Sequence, residues 1–317
     1  LSPLGRTEAA DGGPVDAAEL LVPGPWRHRF VAANGNRFHV AESGPDDGSA
    51  PLVVLLHGFP QCWQAWEHQL PALAVAGYRA VAMDLRGYGA SDKPPRGYDT
   101  PTLAADVAGT IRSLGASRAV VAGSGWGAWI AWSMPALEPA STAAVAALSA
   151  PHPLGLRRRG ARDVVTSPAA RLVASFQVPV LPERAVRDGS LVERVLTEWG
   201  APGWPPPEVL RRSQEAMRVP FTAHAALEYY RWAVRSVGRR DGRAFAAAVA
   251  RPVPVPVLQV HGGRDGAVPA ALARGSASWA GDAYRFALVP GAGHFLPEEA
   301  PEETSALLLD WLAGLPR

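Results

Sequence analysis

The stretch Val120-Val-Ala-Gly-Ser-Gly-Trp-Gly127 runs from a β-branched segment through a glycine-rich corner into an apolar, helix-like segment. A strand that turns sharply into a helix presents one side chain at the end of a sheet. Small residues must flank that apex, because Cβ atoms would collide in so tight a turn. Here the apex is Gly125, between Gly123 and Gly127. Glycine has no side-chain atom with which to attack a substrate. Two further glycine-rich loops carry groups that can move protons. One is His261-Gly-Gly-Arg-Asp-Gly266, which offers Asp265. The other is Gly291-Ala-Gly-His-Phe-Leu-Pro297, which offers His294. A carboxylate bonded to an imidazole fixes its tautomer and stabilises its protonated form. The expected site is therefore a general base, His294, oriented by Asp265 and facing a bare apex. Ser124 stands one residue before the apex, so its side chain is expected to point away. Cys62 is expected to be buried filler. His57, His68, His152 and His224 have no acid-bearing partner loop and are read as structural.

The elements that must position these loops follow from the apolar pattern. Arg27–Ala33 and Arg37–Glu42 flank Asn34-Gly35, a strong hairpin signal. Leu52–Leu56, Tyr78–Met83, residues 118–123, Ala143–Leu148, Val255–Val260 and Tyr284–Val289 read as strands buried in a sheet. Helices are expected near 65–76, 101–114, 270–279 and 298–313, with another following the corner. Strand and helix alternate, which predicts an α/β fold whose eight-stranded, mostly parallel sheet carries helices on both faces. The alternation stops over 152–250, which reads as helical and irregular. The expected organisation is a flexible lead-in over 1–22, a core made of 23–151 and 251–317, and a helical cap over 152–250. The cap carries 16 arginines against nine acidic residues, including Arg157-Arg158-Arg159, which is read as a solvated face.

Composition bounds the function classes. The chain has 317 residues, is 48% hydrophobic and carries a formal net charge of +2. That charge gives no basis for nucleic-acid binding. Residues 119–137 are uncharged, but their glycines and Pro135 favour a buried strand and helix over a membrane span. The single cysteine rules out an intramolecular disulfide. With no apolar leader segment, it points to a cytoplasmic location. The sequence contains no metal-ligand cluster, phosphate-binding loop or flavin fingerprint, so no cofactor or metal is expected. A small-molecule substrate or ligand is the expected partner, and monomer and homodimer are both compatible.

His57-Gly-Phe-Pro-Gln61, Asp84-Leu-Arg-Gly-Tyr-Gly-Ala-Ser-Asp92, Gly123–Gly127, Ser175-Phe-Gln177, Glu228-Tyr-Tyr-Arg-Trp232 and Gly293-His-Phe-Leu-Pro-Glu-Glu-Ala-Pro301 together resemble the α/β-hydrolase superfamily. Within it they are similar to the epoxide hydrolase and haloalkane dehalogenase branch, and the last two motifs tilt toward epoxide hydrolases. The resemblance covers about residues 26–313. It implies an oxyanion hole made from the backbone N–H groups of Phe59 and Trp126, with Phe59-Pro60 as a cis bond. It implies that an elbow aspartate would open the epoxide to an alkyl-enzyme ester, which His294 and Asp265 would then hydrolyse. Tyr230, with Tyr229 as the fallback, matches a cap tyrosine that protonates the departing oxygen. The second cap tyrosine is missing, its place falling near Leu172. Trp126, Tyr229, Trp232 and Phe295 are expected to bind substrate, with Trp129 nearby.

The departure at position 125 leaves two main expectations. One is an epoxide-hydrolase-like enzyme acting on a small apolar epoxide or ester, in which His294 activates water directly. The other is a lapsed hydrolase that serves as a small-molecule binding protein. A cofactor-free lyase or oxygenase would use the same base and anion hole, and nothing in the sequence selects it.

Overall fold

The computed structural model describes residues 13–157 and 167–316. Eight strands form one sheet: β1 (Arg27–Ala33), β2 (Asn36–Ser43), β3 (Leu52–Leu56), β4 (Arg79–Met83), β5 (Ala119–Ser124), β6 (Thr142–Leu148), β7 (Val257–Gly262) and β8 (Tyr284–Val289). Their spatial order is β1-β2-β4-β3-β5-β6-β7-β8. β2 pairs antiparallel with β1 and β4, and all the other pairs are parallel. The β1–β2 turn carries Asn34 at φ 46° and Gly35 at φ 74°. Positive φ at both central residues matches the right-handed twist of a two-residue hairpin.

β3, β4, β5 and β7 are buried along their whole length, which suits their mainly apolar sequences. Helices cover the faces: α1 (Gln69–Val75), α2 (Thr100–Ser113), α3 (Trp126–Leu137), and, near the carboxyl end, α11 (Ala270–Gly275), α12 (Leu296–Glu299) and α13 (Pro301–Ala313). Between β6 and β7 the described residues form helices: α4 (Pro153–Arg157), α5 (Pro168–Ser175), α6 (Leu181–Arg187), α7 (Ser190–Trp199), α8 (Pro207–Arg218), α9 (Thr222–Arg235) and α10 (Arg240–Val249).

Three expected segments differ in detail. The helix expected over 65–76 is a 3-10 turn, Trp63–Trp66, followed by α1. A single helix would have buried Pro71 in its interior, where the ring removes a donor and clashes with the preceding turn. The last helix breaks at Ala300 (φ −140°, ψ 63°), because the residue before Pro301 avoids the helical region. Residues 13–22 of the expected flexible lead-in pack onto the fold. Asp16 and Glu19 form a reciprocal capping box over a 3-10 turn, and Leu20 is buried with its carbonyl accepting from Trp63 Nε1. Residues 1–12 of that expectation, and Arg158 and Arg159 of the arginine triplet, lie outside the described residues.

β3 leads to β4 on one side and β5 lies on the other, so the sheet changes direction between β3 and β5. Ligands of open parallel sheets bind outside the carboxyl ends of strands at such a switch point. The loops after β3, β5, β6, β7 and β8 all emerge at that edge.

Candidate active site

The corner after β5 is built from close backbone contacts. Gly125 has φ 54° and ψ −114°, and its N–H donates to the Leu148 carbonyl at 3.0 Å. A Cβ at Gly123 would lie 2.1 Å from the Gly127 carbonyl carbon, and one at Gly127 would lie 2.0 Å from the Leu56 carbonyl oxygen. Neither site can accept a side chain. At Gly125 the situation differs. A Cβ there would meet only His294 Nε2, at 3.3 Å, and Gly58 Cα, at 3.6 Å. The apex, the loop after β3 and the imidazole thus converge on one point.

His294 is held from several directions. Its Nδ1 is 2.9 Å from Asp265 Oδ2, and the other carboxylate oxygen accepts the N–H groups of Ala267 and Val268. His294 N–H and Gly266 N–H both donate to the Trp199 carbonyl, which ties the acid and base loops to α7. Glu299 accepts from the N–H groups of Ala201, Gly293 and Phe295, fixing the loop that bears the imidazole. Sequence reasoning missed this role for Glu299. Its only signal is a carboxylate five residues after His294. His261 also lies beside Asp265. Its Nε2 bonds the Val268 carbonyl at 2.8 Å and is 3.4 Å from Asp265 Oδ2, and burial holds its pKa below the usual value. It reads as a neutral neighbour that packs the acid.

His57 is structural, as expected. Its Nε2 accepts from Leu85 N–H and its Nδ1 faces the Gly58 carbonyl, so it stays neutral, with burial pushing its pKa down. It pins the loop that presents Phe59, whose bond to Pro60 is cis. Asp84 anchors the same loop through Trp63 N–H and pairs with His39. Burial opposes its charge, but His39 and the amides prevail and its pKa sits at about 2. Trp126 is the first residue of α3. Its N–H has no acceptor within the helix.

A cavity of about 480 Å³ opens in front of Gly125 and His294. Tyr230, Trp126, Trp129 and Trp199 line it with small residues of α5 and α9, and Arg157 at the end of α4 also borders it. Tyr230 is boxed by edge-on contacts with Trp126, Phe176 and Phe59, at centroid distances of 5.0, 5.0 and 5.7 Å. Burial raises its pKa well above the ordinary phenol value, so it stays protonated. Ser149, directly after β6, joins the wall with φ 59°, and its hydroxyl has no hydrogen-bond partner among the described residues. A left-handed serine costs about 1–3 kcal/mol, and such strain gathers at functional sites.

The model for the α/β-hydrolase fold family matches residues 51–301. The chain belongs to the α/β-hydrolase superfamily. The hydrolase is 34% identical to Epoxide hydrolase A of Mycobacterium tuberculosis, over 90% of this chain and 97% of that protein. It is 31% identical to Epoxide hydrolase 3 of Xenopus tropicalis, over 97% of this chain and 84% of that protein. Among solved structures, Epoxide Hydrolase A from Mycobacterium thermoresistibile superposes with a TM-score of 0.79 at 29% identity, covering 92% of this chain and 99% of that one. The hydrolase is therefore epoxide-hydrolase-like in sequence and fold.

Several residues expected to touch substrate do not line this hydrolase's cavity. Tyr229 is fully buried, and its hydroxyl donates to the Arg86 carbonyl at 2.7 Å. Tyr229 and Tyr230 are adjacent on α9, about 100° apart around the helix, so one faces the core and the other the cavity. Trp232 turns outward, bonding Asp241 Oδ2 and packing on Phe245. Phe295 is buried behind His294 and stacks on Trp204. Cys62 is also outside the cavity, and burial raises its thiol pKa well above normal. Of the six tyrosines in the sequence, only Tyr230 lines the cavity. Leu172 is buried on α5. Among the described residues no cluster of three or more His, Cys, Asp or Glu could hold a metal, and no helix is long and apolar enough to cross a membrane.

Proposed function

We propose that this hydrolase opens an apolar epoxide, or cleaves an ester, by direct attack of water. His294 takes a proton from the water as its oxygen forms a bond to an epoxide carbon. The carbon–oxygen bond on that carbon breaks, and Tyr230 O–H protonates the departing oxygen. Asp265 holds the imidazole and stabilises its charged form. Phe59 and Trp126 N–H groups face the developing negative charge of an ester substrate. Helices α4–α10 act as the cap that shields the cavity.

One observation carries this reading. A Cβ placed at 125 would meet, apart from its own chain neighbours, only His294 Nε2 at 3.3 Å and Gly58 Cα at 3.6 Å within 4 Å. A water there would sit within reach of the base. Glycine also removes the strain that a side chain at this φ would impose, about 1–3 kcal/mol.

The test is single-turnover hydrolysis of a terminal epoxide in ¹⁸O-water with enzyme in excess. Direct attack puts the label into the diol on the first turnover. A covalent ester route would deliver an unlabelled oxygen from the protein. Loss of turnover in His294→Ala is expected in parallel. If the parent is no faster than that variant, the protein is a binding protein rather than an enzyme.

A further inference from the structure

We infer that the cavity is built for an amphipathic substrate with an anionic head, and that Arg157 is the residue that recognises the head as a carboxylate. The inference rests on the same site as the proposed hydrolysis. It adds to that reading a second, charged end of the pocket.

Arg157 lies at the end of α4 and lines the cavity. Its Nη1 donates to the Gly242 carbonyl and its Nη2 to Ser236 Oγ, both at 3.1 Å. A guanidinium has five N–H donors in a rigid fork, so three remain for another acceptor. It forms no ion pair with any described carboxylate. Asp241, whose charge acts on it favourably, is paired with Arg239 and bonded to Trp232. Burial works against its charge. For a half-buried cation whose charge burial opposes, a ligand carboxylate would supply the missing partner.

The rest of the wall sharpens the charge. Among the described residues that line the cavity there is no aspartate or glutamate, and the other titratable groups are Tyr230 and His294. None of these offers an entering anion an opposing carboxylate. A single uncommitted guanidinium suits a monoanion, and its fork matches the two oxygens of a carboxylate.

Position sets the length of the substrate. Tyr230, Ala233, Val234 and Val237 line the cavity from one face of α9 and its end. They form an apolar track that begins at the phenol and ends where Val234 and Val237 are 46% and 53% exposed. Ser236, which holds Arg157, is six residues beyond Tyr230, a helix rise of about 9 Å between the two backbone positions, which sets the scale of a medium-length chain. Across the track, Ala169, Ala170, Val173 and Ala174 of α5 offer only small apolar side chains. The fitting substrate is a medium-chain acid with its epoxide and its carboxylate at opposite ends.

Two readouts test this on the full chain. The first is equilibrium binding of decanoate, methyl decanoate and decylamine, followed by fluorescence of the tryptophans in the wall. The expected order is decanoate tightest by about tenfold, with that preference reduced to about twofold or less in Arg157→Gln and partly kept in Arg157→Lys. The second is the ratio of kcat/KM for a terminal epoxy acid of matched length to that for its methyl ester. The ratio should exceed about ten in the parent and fall towards one in Arg157→Gln. Equal binding of decanoate and its ester by the parent, or a preference that survives Arg157→Gln, overturns the inference. If no epoxide is turned over but the Arg157-dependent binding is present, the hydrolytic reading fails and the recognition of the carboxylate stands. Turnover without discrimination gives the reverse result.

Discussion

Replacing Tyr230 by phenylalanine removes the one phenol that lines the cavity while keeping the ring in its aromatic box. If its hydroxyl protonates the departing oxygen, Tyr230→Phe lowers kcat by about 10²–10⁴ and leaves KM largely unchanged. Tyr229→Phe gives the opposite signature. It leaves the Arg86 carbonyl without its donor and costs about 1–3 kcal/mol of stability in denaturant titrations, with little change in kcat. A shared kinetic defect in both variants would refute the separation of roles. The two adjacent tyrosines also mark what the sequence could convey. Asp265 and His294 were legible because each sits in a glycine-rich loop after a strand, and those loops meet at the sheet edge whatever the packing. Which of two neighbouring helical residues faces the pocket depends on how α9 is rotated against the sheet, and no local pattern encodes that. The same ambiguity placed Trp232 and Phe295 at the substrate, although one faces outward and the other is packed behind the imidazole.

At the scale of elements, the corner after β5 tolerates no added atoms. Gly127→Ala would place a Cβ 2.0 Å from a backbone oxygen of β3, which cannot move without disrupting the sheet pairing. Expression should yield unfolded or strongly destabilised protein, visible as loss of a cooperative melting transition. Gly275→Ala is the contrasting case. It lies at the end of α11 with φ −61° and no atom within 4 Å of an added Cβ, so it should be neutral or stabilise by up to about 1 kcal/mol. A normal melt for Gly127→Ala would show that β3 and the corner are looser than described. The central strands were readable from their mainly apolar runs, because a strand buried on both faces favours that composition, and the first two from the Asn34-Gly35 turn between them. Helix ends were less readable. Pro71 and Pro301 each divide a segment whose periodicity alone suggests one continuous helix, and the Asp16–Glu19 capping box lies in a stretch without helical period.

The whole molecule carries a pH dependence through Glu298. This carboxyl is buried where α12 meets the loop after β3, hydrogen-bonded by Gln61 and 3.7 Å from Arg212 of α8. Burial outweighs both partners and pushes its pKa up to about 7. Since the folded value lies above the ordinary 4.5, folding favours the protonated acid. The stabilisation is fully present below the unfolded value and is lost as pH rises through about 7. Urea midpoints of the parent should therefore fall between about pH 5 and about pH 8, by an amount on the order of 3 kcal/mol. Glu298→Gln should remove most of that slope. An unchanged slope would assign the pH dependence to other groups.

The backbone at Gly125 also bears on descent. In half of the glycine codons, one guanine-to-adenine transition at the second base encodes aspartate. An aspartate carboxylate at this corner would stand beside an imidazole that is already aligned, in a bend that keeps its shape without it. Water-driven and ester-forming chemistry would then be neighbours in mutational space, separated by the modest folding penalty of one strained residue. Lineages on this scaffold could cross that boundary in either direction without rebuilding anything else.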